Sequence, residues 1–167
     1  MPLQFDPFRD RLSRDIRNDL SESLLTCLRD GLSTAARAVA ERYLASPIEP
    51  CHRAYINDRL ERYERFLALV RGESDPLRQG FVLWELGLYF EVHEILEQAW
   101  LRAEGTEKEL LQALIRAAGV RIKRECGFEA AAAKMAAKAL PVLTAHRQRL
   151  AAYIDPDPLL SLLEPAP

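Results

Sequence analysis

At 167 residues and a net charge of −2, the chain is long enough for one well-packed domain and carries no global field that would draw nucleic acid. Hydrophobic residues make up 49% and charged residues 29%, an ordinary globular mixture. No apolar run approaches the roughly 18 residues of a membrane span, and the opening MPLQFDPFRDRLSRD lacks the apolar core of a signal peptide. Three scattered cysteines, Cys27, Cys51 and Cys126, show no CxxC or Cys/His zinc spacing. A reducing compartment fits better than a disulfide framework, so the expected location is cytoplasmic.

The first helical segment runs from about Pro7 to Leu44. Phe8, Leu12, Ile16, Leu20, Leu24 and Leu28 recur every four residues, a spacing that drifts about 40° per step on a 3.6-residue helix. Such a stripe either crosses two partners or breaks, and Gly31 is the natural break. Ser46-Pro47 and Glu49-Pro50 end the segment. A second helix is predicted from Cys51 to Arg71, with Tyr55, Leu60, Tyr63, Phe66, Leu67 and Val70 inward. Asp75 then caps a helix opening at Pro76. The third helical region spans Leu77 to Arg102, with Gly80 and Gly87 as weak points. Thr106 and Glu109 have the spacing of a capping box for a fourth helix ending near Cys126, where Gly127 is a stop. A fifth helix, Glu129 to Tyr153, is kinked or divided by Pro141. The tail DPDPLLSLLEPAP reads as a turn, at most one short helical piece and a frayed end. No segment alternates like a strand. The fold class is therefore all-α, a bundle of five to six helices in a single compact domain. Its parts are an N-terminal helical extension packed on the bundle over 1–75, a helical core over 76–154 and a tail over 155–167.

The chemistry concentrates in YFEVHEILEQAW, residues 89–100. With His93 as zero, Glu97 lies at about +40°, Trp100 at about −20° and Tyr89 at about −40°. These residues share one stripe with Leu96 and Phe90. Glu91, Gln98 and Arg102 fall at about 140° to 180°, where a solvated face is expected. Burying an imidazole or a carboxylate costs several kcal/mol unless it is paired. His93 and Glu97 therefore either satisfy each other and nearby donors or serve a site.

His-Glu-x-x-Glu differs from a zincin's His-Glu-x-x-His, because Glu97 stands where the second metal histidine would be. His93 and Glu97 are the metal candidates, but no third ligand is evident, and neither a metal nor another cofactor is expected. Glu49-Pro-Cys-His52 has Glu-x-x-His spacing, although Pro50 argues against a regular helical turn. Glu94 borders the stripe at about 100° from His93 and Glu85 at about −80°. On the next helix Gln112, Arg116, Gly119 and Lys123 recur at helical spacing. Gly119 there suggests close approach of another helix or a ligand. Arg116 is then placed to meet the His93/Glu97 stripe and to be the cationic partner of Glu97. Arg121, Lys123 and Arg124 read as a solvated charged run. No G-x-S-x-G, P-loop or G-x-G-x-x-G is present.

GLYFEVHEILEQAW, residues 87–100, followed by ELLQALIRAAG, residues 109–119, resembles the family known as domain of unknown function 309, typified by small bacterial and archaeal helical proteins. Gly87, Tyr89, Phe90, Glu91, His93, Glu94, Leu96, Glu97 and Trp100 match its first block, and Gln112, Leu114 and Ile115 its second. The resemblance covers roughly residues 77–140. The chain departs from the family pattern at Glu85 for Asn, Arg116 for Gln, Lys123 for His and Phe128 for Asn, which makes the region more cationic. The resemblance implies an α-helical fold and no established activity.

Two functional expectations follow. The first is a structural or interaction module in which a buried His-Glu-Trp cluster fixes helix register and exposed helical faces support a homodimer. The second is a small-molecule or acid/base site in which His93 carries the proton, Glu97 orients it, Tyr89 and Trp100 wall the pocket and Arg116 holds an anion. The module is preferred, because no complete catalytic set can be assembled, and whether the chain is an enzyme stays open.

Overall fold

The computed structural model describes residues 3–165. Among the described residues there are nine α-helices and no strand, so the chain is all-α with more and shorter helices than the five to six expected. The extra ends come at glycines and short turns that the apolar periodicity runs across. The expected domain is built of two compact units, Met1–Gly72 and Glu73–Pro167. No helix among the described residues is long and apolar enough to cross a membrane.

The first unit holds α1 (Arg11–Asp30), α2 (Thr34–Leu44) and α3 (Pro50–Leu69). Gly31 ends α1 with φ 69°, a left-handed conformation in which its N–H reaches the Cys27 carbonyl and which a side chain would oppose. The four-residue repeat has its expected consequence. α1 packs against both α2 and α3, burying Ile16, Leu20 and Leu24 completely, while Phe8, Leu12 and Leu28 at the ends of the winding stripe are only half-buried. From α2 and α3 the core receives Ala36, Ala40, Ile56, Tyr63 and Phe66. Pro50 does not break a turn but opens α3 at its first position, where its missing N–H costs nothing.

The second unit contains α4 (Pro76–Glu85), α5 (Tyr89–Trp100), α6 (Gly105–Glu125), α7 (Glu129–Ala145), α8 (Arg147–Leu150) and α9 (Pro156–Leu163). Asp75 caps α4 through the Leu77 N–H and also accepts from the Tyr153 hydroxyl. The single region expected over 77–102 is split at Gly87, whose φ is 71°. Gly87→Ala forces a side chain into that conformation and should cost about 1–2 kcal/mol, read as a lowered midpoint in thermal denaturation. Gly80, the other weak point, stays helical, and a Cβ there would meet the Leu96 side chain at 3.0 Å.

α6 packs on α5, α7 and α9. A Cβ added at Gly119 would lie 2.2 Å from Met135 Cε, so the close approach inferred for Gly119 is made by a residue of α7. The capping box does not form. α6 begins one residue before Thr106, with Glu104 as its cap and no side-chain bond to it. Pro141 lies inside α7 without ending it. Pro141 and Ala137 are both exposed, so the carbonyl that the proline ring displaces can bond water. The helix is divided later, at His146. Most of the tail is structured: α9 packs on α7, buries Leu159, Leu160 and Leu163, and its Leu162 carbonyl accepts from Arg124 at 2.5 Å. The last residues of the expected frayed end, 166–167, lie outside the described residues.

Candidate functional site

The α5 sequence is apolar on more than one side, and the helix packs on both α4 and α6. Its deeply buried residues, with its cap Leu88, are Glu91, Val92, Ile95 and Leu96, a face centred about 130° away from His93. Glu91, assigned to the solvated side by helix geometry centred on His93, is 0% exposed. The His93 side chain is 37% exposed, and Glu94, Glu97, Tyr89 and Trp100 are half-buried. The expected buried His-Glu-Trp stripe is therefore the partly wet edge of α5, and the carboxylate in the core belongs to Glu91. The two-sided packing of the helix explains the reversal. Gln98 and Arg102 are exposed as expected.

Along that edge, His93 Nδ1 stands 3.6 Å from Glu94 Oε1, and its ring stacks on Phe90 with centroids 6.0 Å apart. Trp100 receives the Lys108 ammonium over its ring at 4.5 Å, a cation–π contact across the α5–α6 turn. Tyr89 meets Trp84 edge-on at 5.0 Å. Its hydroxyl accepts from Arg121 Nη2 at 2.9 Å, and the Arg121 guanidinium lies 4.8 Å from its ring centre. Arg121, read from sequence as part of a solvated run, thus ties α6 to the start of α5. Tyr89→Phe keeps the ring and removes the acceptor, and should cost about 1 kcal/mol in denaturant unfolding.

The side chains of Glu97, Gln112 and Arg116 are half-buried, and among the described residues none of them makes a hydrogen bond or ion pair. Glu85 is exposed at the end of α4. The cavity between α4, α5 and α6 holds about 10 Å³ and is lined by Leu77, Gly80, Phe81, Trp84, Val92, Leu96 and Leu114. It is apolar, with room for about one water, and none of the candidate polar residues lines it. Among the described residues, no group of three or more His, Cys, Asp or Glu side chains could hold a metal ion.

The first unit carries a polar cluster that sequence reading did not assemble. Asp10 caps α1, accepting from the Ser13 N–H at 2.8 Å and from the Ser13 hydroxyl at 2.5 Å. His52, in the first turn of α3, is 2% exposed and donates through Nε2 to Asp10 Oδ2 at 2.9 Å. The same nitrogen stands 3.1 Å from Ser13 Oγ. The Ser13 hydroxyl first, then His52 and the Ser13 N–H, hold the Asp10 carboxyl well below the ordinary carboxylate range. A visible signal existed in Asp-x-x-Ser at the start of α1, which has capping spacing, but nothing local pointed to His52.

The fold and its α5 block define a helical protein with a partly wet polar edge beside a small apolar core. Residues 77–135 match the family model described as Domain of unknown function (DUF309). No curated protein and no solved structure matches the chain.

Proposed function

We propose that the family segment works as a structural and interaction module, its polar residues fixing how α5 sits between α4 and α6. The observation that carries this reading is the complete burial of Glu91. A carboxylate taken wholly out of water tolerates few positions, so it selects one helix register over its neighbours. The Tyr89–Arg121 tie acts in the same sense at one end of α5, as does Lys108 over Trp100 at the other. An acid/base or small-molecule site around His93 and Glu97 has less behind it, because the cavity between α4, α5 and α6 is apolar and is lined by neither residue. The test is a pair of unfolding curves. Glu91→Ala should be severely destabilised and His93→Ala only slightly. A stable Glu91→Ala protein beside a damaged His93→Ala protein would overturn the reading.

A further inference from the structure

Phe5 lies in a stretch without regular structure ahead of α1. Its ring stacks on Tyr55 of α3 with centroids 3.8 Å apart and planes 8° from parallel. It also meets the His52 ring edge-on at 6.0 Å, and the Arg59 guanidinium stands 4.5 Å from the Tyr55 ring centre. Beneath Phe5, His52 is nearly inaccessible, and its Nδ1 is buried with no hydrogen-bond partner. The protonation pattern follows from the neighbours. Asp10 is held ionised, so it only accepts, and Nε2 must carry the proton it donates across 2.9 Å. In the neutral ring Nδ1 is then a lone-pair acceptor. A buried acceptor without a donor is costly, and the phenyl ring that meets the His52 ring edge-on has no donor to give.

We propose that the crevice formed by Tyr55 and His52 is a binding site for an aromatic ring carrying a hydrogen-bond donor, a phenol in the first instance, and that Phe5 fills it as an intramolecular plug. The ring of such a ligand takes the Tyr55 face that Phe5 now covers, and its O–H supplies the donor that Nδ1 lacks. Phe5 lies just ahead of an anchor at Asp6, whose carbonyl accepts from the Arg9 and Asp10 N–H groups and whose carboxylate accepts from the Phe8 and Arg9 N–H groups. The Asp6 N–H reaches Ser13 Oγ at 3.3 Å, a long hydrogen bond, and irregular chain ahead of a first helix opens locally more easily than helix does. The phenol's source is either a free small molecule or the tyrosine side chain of a peptide segment.

The experiment uses the full chain with Phe5→Ala, which vacates the crevice, and titrates p-cresol and toluene by calorimetry. These probes share a shape and differ in the donor. p-Cresol should bind one to one and about tenfold tighter than toluene, the worth of one net hydrogen bond. Wild type should bind it more weakly than Phe5→Ala, because Phe5 competes. In Phe5→Ala/His52→Phe the preference for p-cresol should vanish. Equal binding of the two probes, binding of neither, or a preference that survives loss of His52 overturns the proposal. Should Phe5→Ala not fold, the His52 Nδ1 nitrogen resonance of wild type gives the same answer: it shifts with p-cresol, or the proposal fails. A blocked Gly-Tyr-Gly peptide that matches p-cresol identifies a chain segment as the source, and p-cresol binding alone identifies a free phenol.

Discussion

Glu91→Ala should lower the stability of the second unit by about 3 kcal/mol. The side chain is wholly buried, and truncation removes one methylene, worth about 0.8 kcal/mol, together with the carboxylate. It also gives up the interaction that Glu91 makes, at about 1–3 kcal/mol. α5 is held between α4 and α6, so the gap has little freedom to close. In a unit of this size the midpoint should fall by more than about 10 °C. His93→Ala should cost no more than about 1 kcal/mol, because that side chain is 37% exposed and surface truncations are mild. Thermal denaturation of the two variants beside wild type checks both values. A Glu91→Ala midpoint within a degree or two of wild type would mean that the carboxylate contributes nothing to packing.

Which of these features the sequence could reveal depended on whether their causes were local. Gly31 announces a helix end because left-handed backbone favours glycine wherever it occurs, and it adopts that backbone; Gly87 does too, but in sequence it is a weak point no different from Gly80, which stays helical. The four-residue stripe of α1 predicted two partners, and α2 and α3 are those partners. Whether Pro141 ends α7 depends on which side of that helix faces water, and that is settled by α6 and α9. The same limit applies to the site. A helical wheel centred on His93 puts Glu91 on the solvated side, although the buried Leu88 and Ile95 flank it at helical spacing. The covered face of α5 is marked by its aliphatic residues and not by the chemically conspicuous histidine. Arg121 sat in a basic run whose usual place is solvent, and only the tertiary position of Tyr89 gives it a partner. Ser13 and His52 lie 39 positions apart, so no spacing rule joins them.

Asp10→Ala should be the most damaging polar substitution in the first unit, at about 2–4 kcal/mol. It removes the cap of α1, worth about 1 kcal/mol. It also leaves the buried Ser13 hydroxyl and His52 Nε2 without their acceptor, a further 1–3 kcal/mol or so. The side chain is 31% exposed, so water takes over part of that role and the lower half of the range is expected. The pH dependence has a definite sign. The folded carboxyl titrates below its ordinary value, whereas the unfolded one titrates near pH 3.9, roughly the free-peptide value. Its contribution is therefore fully present above the unfolded value and is lost as pH falls below about 4. Asp10→Asn keeps a capping side chain but no charge, so it should be less stable than wild type at neutral pH. Below about pH 4 the difference should shrink as the wild-type carboxyl loses its advantage. Urea unfolding of both proteins between about pH 2.5 and 7 measures this. A gap that stays constant across that range would show that the Asp10 charge does not join the start of α1 to His52.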